Sequence, residues 1–418
     1  MERYESYKDS GVAWIGQVPS HWKIYRFKDF LTLKNVVSSN ENKIGLENIE
    51  GGTGRFIETN TDFDGNGIEF DVGDIVYGKL RPYLQKVWVA TFKGNAVGDF
   101  YVFRTKAICD RQYVFYVMLS EGFTAICNGA TFGAKMPRVS SDFIRCLHFY
   151  LPPFVEQQAI AAYLDKRCSE IDKSIATQQK RITLLQELKQ SIITQTVTKG
   201  IHPDVPLKDS GVEWIGKVPE HWEVMKTSLL YTNIGSGTTP STSKQEYYED
   251  DGFCWLQTGD LNDGYITDTS KKISKVAVKD YKLRFYPVGS IVIAMYGATI
   301  GKIGLLKIST STNQACCVLP YSNKMNEMYA FYVCQIAKKQ MLLEAVGGGQ
   351  PNISQDIIKK LKLPVPPLCE QQAIAVYLDK RCSEIDKAIA TQQKRISLLQ
   401  ELKQSVITEA ITGKIKVC

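Results

Sequence analysis

The sequence predicts a mixed α/β (α+β) protein built as a pseudo-twofold tandem duplication: two globular domains separated by two long antiparallel coiled-coil helices. Three observations predict it. Glu156 to Thr194 (EQQAIAAYLDKRCSEIDKSIATQQKRITLLQELKQSIIT) returns at Glu370 to Thr408 with 35 of 39 positions identical. Both copies lie in runs without glycine or proline, Phe154 to Lys199 and Leu368 to Thr412. The intervening regions instead alternate short apolar runs with turns, the pattern of strands.

The repeat sets the boundaries. A shorter pair, KDSGVAWIGQVPSHW ending at Trp22 and KDSGVEWIGKVPEHW ending at Trp222, precedes the variable regions. The chain therefore divides into a repeat motif over 1–22, a variable domain over 23–154 and a helix over 155–200. A linker with the second motif follows over 201–222, then a second variable domain over 223–367 and a second helix over 368–418. A period of 200 residues at one marker and 214 at the other is too long for a solenoid.

Each repeated segment is punctuated as a helix, by Pro152-Pro153 and Pro366-Pro367 before it and by Gly200 and Gly413 after it. Apolar residues recur at steps of three and four, which predicts a coiled-coil stripe. The expected interface is Ile171, Ile175, Gln178, Ile182 and Leu185 against Ile385, Ile389, Gln392, Ile396 and Leu399. In a symmetric antiparallel pair, Gln178 and Gln392 are expected in nearby layers, each amide satisfying the other and fixing the register.

In the variable domains, GDIVYGKL and KVWVATF in the first and GSIVIAMYG and ACCVLP in the second read as strands. RQYVFYVMLSEGF and EMYAFYVCQIAKKQMLLEAV read as one helical stretch in each. The two domains share almost no identity, which is expected where a scaffold is retained and its surfaces diverge.

Composition excludes several classes. Hydrophobic residues make up 44% and charged residues 23%, ordinary for a globular chain. No apolar run approaches the roughly 18 residues of a membrane span, and the beginning MERYESYKDSGVAW lacks a signal-peptide core, so a cytoplasmic location is expected. Eleven scattered cysteines without CxxC spacing suggest reduced thiols. No metal site is expected. The stretch Asp62 to Gly67 resembles half of a calcium loop, but Gly73 stands where the bidentate glutamate belongs. Gly297 to Lys302 is one residue short of a phosphate loop, with Ile303 at the magnesium-binding Ser/Thr position. No catalytic constellation is found.

What the variable domains carry is basic residues interleaved with aromatics and amides. Ile75 to Gly98 and Tyr281 to Asn326 contain no acid, and the net charge is +7. Cationic side chains neutralise phosphates, while Arg, Asn and Gln read base edges. A solvated basic face is the alternative reading of the same stretches; read as a nucleic-acid surface, the expected DNA contacts are Lys79, Arg81, Tyr83, Lys86, Lys135 and Arg138 in the first domain, with Arg81 and Arg138 as base readers. In the second they are Lys271, Lys272, Tyr296, Thr299, Lys302, Gln350 and Asn352.

The order of these elements resembles the specificity subunit of type I restriction–modification systems. The resemblance rests on the Trp14–Trp22 and Trp214–Trp222 motifs, the LPP-x-x-EQQAIA-x-YLDK segments, the LLQELKQS-x-IT helices and the stretch Thr312 to Ala315. It covers the whole chain and implies two target recognition domains that read duplex DNA, with two spacer helices. It also implies assembly with two modification subunits, which carry S-adenosylmethionine and methylate adenine, and two restriction subunits, which use ATP and Mg. No cofactor and no catalytic residue are implied for this chain. A specificity subunit of a methylation-only complex is an open alternative; a coiled-coil interaction protein without a DNA role is the reading from a different class.

Overall fold

A computed structural model describes residues 2–39, 42–347 and 351–417. The chain packs as two compact units: Met1–Lys180 with Gln392–Cys418, and Arg181–Thr391.

In the first unit, β1 (Leu31–Lys34), β2 (Ile75–Gly78), β3 (Val87–Val89) and β4 (Phe100–Thr105) form an antiparallel sheet in the order β1-β4-β2-β3. Val102 pairs with Lys34, Phe103 with Ile75, and Ile75 with Val89. Every residue of β2 is buried, as expected of a continuous apolar run rather than an alternating one. Helix α1 (Arg111–Leu119) covers the sheet and is capped by Asp110, whose carboxylate accepts from Tyr113 N at 2.9 Å. The long helix α2, Phe154–Lys199, follows a strand at His148–Leu151 that pairs with Lys23–Arg26.

The second unit repeats the plan with different side chains. Its sheet orders β5 (Gly235–Ser236), β6 (Gly264–Ile266), β7 (Ile291–Ala294), β8 (Ile303–Leu306) and β9 (Cys316–Leu319) as β5-β9-β7-β8-β6. Strand β6 runs parallel to β8, an extra edge strand relative to the first unit's sheet. Helix α3 (Glu327–Leu343) takes the place of α1, with Asn326 capping Met328 N and Tyr329 N at 3.1 and 3.0 Å. The second long helix, α4, spans Leu368–Ile411. Gly200 and Gly413, past the helix ends, have φ of 80° and 70°, the left-handed conformation that ends a helix at least cost.

Each unit is completed by part of both long helices. In the first, Ile160, Leu164 and Cys168 of α2 share a core with Val406, Ile407 and Ile411 of α4, around Trp22, Phe27, Phe103 and Tyr113. In the second, Ile374, Leu378 and Cys382 of α4 share a core with Ile193 and Val197 of α2, around Trp222, Ile291 and Tyr329. The helix segments run antiparallel within each unit. In the first, Gln157 near the start of α2 accepts from Asp110 N at 2.8 Å, and neighbouring Tyr113 donates to Ile411 O at 3.1 Å. Further along α2, Asp172 meets Lys403, earlier in α4, at 2.8 Å. The second unit matches: Gln371 accepts from Asn326 N, Tyr329 donates to Val197 O, and Asp386 meets Lys189.

Along the stripe, Ile171, Gln178, Ile182 and Ile385 are buried, and Ile175, Leu185, Ile389, Gln392, Ile396 and Leu399 half-buried. The expected Gln178–Gln392 amide pair does not form: the Gln392 carbonyl oxygen is buried and accepts no hydrogen bond among the described residues. The Asp172–Lys403 contact gives the reason. Six residues on from Asp172 along one helix is Gln178; six back from Lys403 on the antiparallel partner is Ser397. Gln392, five residues earlier than Ser397, therefore lies about 7.5 Å further along the axis.

Candidate nucleic-acid interface

The short repeated motifs anchor the long helices. Trp22 is fully buried, and its indole N–H donates to Glu156 Oε1 at 3.0 Å. The other carboxylate oxygen of Glu156 lies 2.8 Å from His21 Nε2, and the Tyr4 hydroxyl also donates to this carboxylate. The second unit repeats the device, with Trp222 and His221 on Glu370 at 2.9 and 2.7 Å. The adjacent glutamine locks the helix start to the domain. Gln157 Nε2 donates to Pro152 O and Ile108 O, and Gln371 Nε2 to Pro366 O and Lys324 O. One sequence motif thus makes the same joint twice.

On this scaffold two loops meet at the end of strand β2. The chain leaves β2 through Lys79, whose carbonyl accepts from Val139 N at 3.1 Å, and Arg81 N donates to Pro137 O at 2.8 Å. Phe132 and Arg138 exchange backbone hydrogen bonds of 2.9 and 3.0 Å, closing a hairpin over Gly133–Pro137. Arg81 has φ of 51°, a left-handed conformation uncommon outside glycine, at the start of the 3-10 turn Pro82–Leu84. Five of the expected contact residues, Lys79, Arg81, Tyr83, Lys135 and Arg138, are thus brought to one place.

Their availability differs. Arg81, Tyr83 and Lys135 are exposed. Arg138 is committed to Asp99, with Nε and Nη2 at 2.7 and 2.9 Å from its two oxygens, and the Asp99 carboxylate raises its pKa further. Lys79 lies 3.9 Å from the same carboxylate and 5.2 Å from the Tyr101 ring centroid. Lys86 turns inward: its ammonium donates to Leu46 O and Ile49 O at 2.7 and 2.9 Å, and burial lowers its pKa. It pins two loops together instead of facing solvent. Asp99 could not be assigned from sequence, since it follows the acid-free stretch and finds Arg138 only through the sheet.

The second unit places its loops alike. Ile353 N donates to Met295 O at 2.8 Å, as Val139 does to Lys79, and Val346 and Asn352 exchange backbone bonds as Phe132 and Arg138 do. Tyr296, Thr299 and Lys302 stand half-buried in the turn after β7, and Asn352 is exposed beside it. Gln350 lies outside the described residues. Lys271 and Lys272 stand elsewhere, on a strand at Lys271–Ile273 that belongs to a separate three-stranded sheet; Lys271 lies 5.9 Å from the Tyr248 ring. No cluster of three or more His, Cys, Asp or Glu that could hold a metal occurs among the described residues, and no described helix is long and apolar enough to cross a membrane.

Comparison with known proteins bears on this arrangement. The family model for the type I restriction modification DNA specificity domain matches twice, over residues 19–186 and 219–400. The type I restriction enzyme MjaVIII specificity subunit of Methanocaldococcus jannaschii is 28% identical over 74% of this chain and 71% of its own length. A chain from a structural study of complex assembly and conformational transition in the type I R-M system superimposes with a TM-score of 0.76, covering 95% of this chain and 99% of that one at 16% identity. The crystal structure of the HsdS subunit from Thermoanaerobacter tengcongensis gives 0.52, with 95% and 98% covered and 16% identity.

Proposed function

Because this chain belongs to the type I restriction–modification DNA specificity family, we propose that it reads an asymmetric bipartite DNA target, one half-site with each globular domain. The observation that carries this reading is the loop pair after β2 and after β7. Matching backbone bonds, Val139 N to Lys79 O with Ile353 N to Met295 O and the Phe132–Arg138 exchange with the Val346–Asn352 exchange, hold both pairs, while the side chains presented differ: Arg81, Tyr83 and Lys135 in one, Tyr296, Thr299, Lys302 and Asn352 in the other. A retained frame with divergent donors suits two different short sequences. Arg81 is the base reader in the first domain, and the lysines neutralise phosphates. Lys271 and Lys272 contact the backbone of the duplex from their separate strand.

The long helices act as the ruler between half-sites, and the duplicated helix surface docks two modification subunits, with two restriction subunits joining them. This chain contributes recognition and positioning but no bond-making step. S-adenosylmethionine belongs to the modification subunits, ATP and Mg to the restriction subunits, and the assembly works in the cytoplasm. Sequencing of methylated bases in cells expressing the chain with its modification subunit tests this. A motif of two dissimilar half-sites separated by a constant unread gap is expected; a single palindrome, or no motif dependent on this chain, overturns the reading.

A further inference from the structure

The hairpin over Gly133–Pro137 exposes large apolar side chains in an otherwise basic setting. Phe132 is 60% exposed and Met136 44%. Two large apolar side chains exposed on one short hairpin are informative where a single exposed residue is not. The patch is also rigidly mounted. Its backbone is bonded to Arg81 and Lys79, Arg138 at its base donates two hydrogen bonds to the Asp99 carboxylate, and Gly133 turns at φ of 90° with Met136 O close by. Its charged neighbours Arg81 and Lys135 are cationic, and the nearest carboxylate placed by these bonds, Asp99, is taken by Arg138.

We propose that this hairpin is a wedge that enters the base stack of the bound duplex, with Phe132 and Met136 as the inserted side chains. Apolar side chains flanked by arginine and lysine enter base steps in this way, unstacking and kinking the duplex. The cations hold the phosphates on either side while the wedge fills the space between bases. A subunit serving an enzyme that modifies a base gains from this, since the target nucleotide must leave the stack before it reacts. The inference rests on the DNA-reading function and adds deformation to it.

The test uses the chain assembled with its modification subunit and a duplex carrying the motif mapped by methylated-base sequencing. 2-Aminopurine replaces each adenine in turn, and its fluorescence reports unstacking. The native complex is expected to brighten at a step in the half-site read by the first domain. The Phe132→Ala, Met136→Ala double variant is expected to lose that signal, whereas Phe132→Leu retains it. A duplex already mismatched at that step is expected to regain binding by the double variant, roughly tenfold or more over the matched duplex, because the unstacking cost is already met. An unchanged signal in the double variant, or equal loss on matched and mismatched duplexes, overturns the wedge and leaves DNA reading standing. Loss of the modification subunit from the double variant also overturns it, and assigns the patch to protein docking. Failure of the native complex to bind the motif overturns the DNA-reading function itself.

Discussion

Lys403 Nζ lies 2.8 Å from Asp172 Oδ1, joining the two long helices across 231 residues of chain. Their repeat counterparts Lys189 and Asp386 form the same pair at 2.7 Å in the second unit. Each helix supplies the lysine once and the aspartate once. A slide of either helix by one turn would break the pair, so it holds the register that the amide pair was expected to hold. The two copies differ in burial: the Lys403 side chain is 7% exposed, the Asp386 side chain 56%.

That difference predicts unequal costs. Asp172→Ala leaves a buried ammonium unpaired, and is expected to destabilise the first unit by about 2–3 kcal/mol. Asp386→Ala, at a solvated pair, is expected to cost less than about 1 kcal/mol. Urea unfolding of the two variants measures both, and equal costs would contradict the structure.

Glu156 is expected to matter through Trp22. Glu156→Ala removes the acceptor of a fully buried indole N–H and is expected to cost about 1–3 kcal/mol. Glu156→Gln, which retains one acceptor oxygen, is expected to recover part of that. Intrinsic tryptophan fluorescence during denaturation follows both.

Acid stability should report a local network. Arg104 donates to Asp71 and Asp74, and Lys34 adds bonds to both. Their hydrogen bonds hold the Asp71 carboxyl at about 2, below its ordinary 3.8. A depressed carboxylate contributes stability that is present above the ordinary range and is lost as pH falls toward about 2. Arg104→Met is expected to return Asp71 toward its ordinary value and remove that contribution, as read from the Asp71 side-chain NMR shift against pH.

The cations of the first domain should separate by role. Lys135→Ala is expected to weaken DNA binding and to lower the slope of log affinity against log salt by about 0.9, whereas Arg81→Ala is expected to cost about 1–3 kcal/mol on the motif and to relax its specificity. Lys86→Met is expected to leave that slope unchanged and to loosen the loops at Leu46 and Ile49. Binding measured across a salt series distinguishes the two outcomes.

Thiol chemistry should follow burial. Burial pushes the Cys127, Cys317 and Cys334 thiols up to about 12 and Cys168 to about 11, whereas Cys146 and Cys369 are exposed. In a Cys418→Ser background, Cys146 and Cys369 are expected to react first with a thiol reagent at neutral pH, and the buried thiols only on unfolding. Mass spectrometry of labelled peptides checks the order.

The sequence by itself determined what local periodicity can encode. The long helices follow from runs free of glycine and proline closed by Gly200 and Gly413, and β2 and β7 from the apolar strings IVYG and IVIA. The duplication is legible because two segments repeat almost letter for letter, and the clustering of basic and aromatic residues singles out five first-domain positions that the fold brings to one place. Tertiary structure decided which groups meet. That each unit completes its core with part of both long helices, that Ser397 rather than Gln392 comes level with Gln178, and that Arg138 and Lys86 spend their donors inside the domain all depend on residues far apart in the chain. A helical stripe states that a face is apolar, but the residue opposite it is chosen by packing. A lysine's charge is local, but whether it meets a phosphate, a carbonyl or an aspartate depends on where the sheet and the helices deliver it.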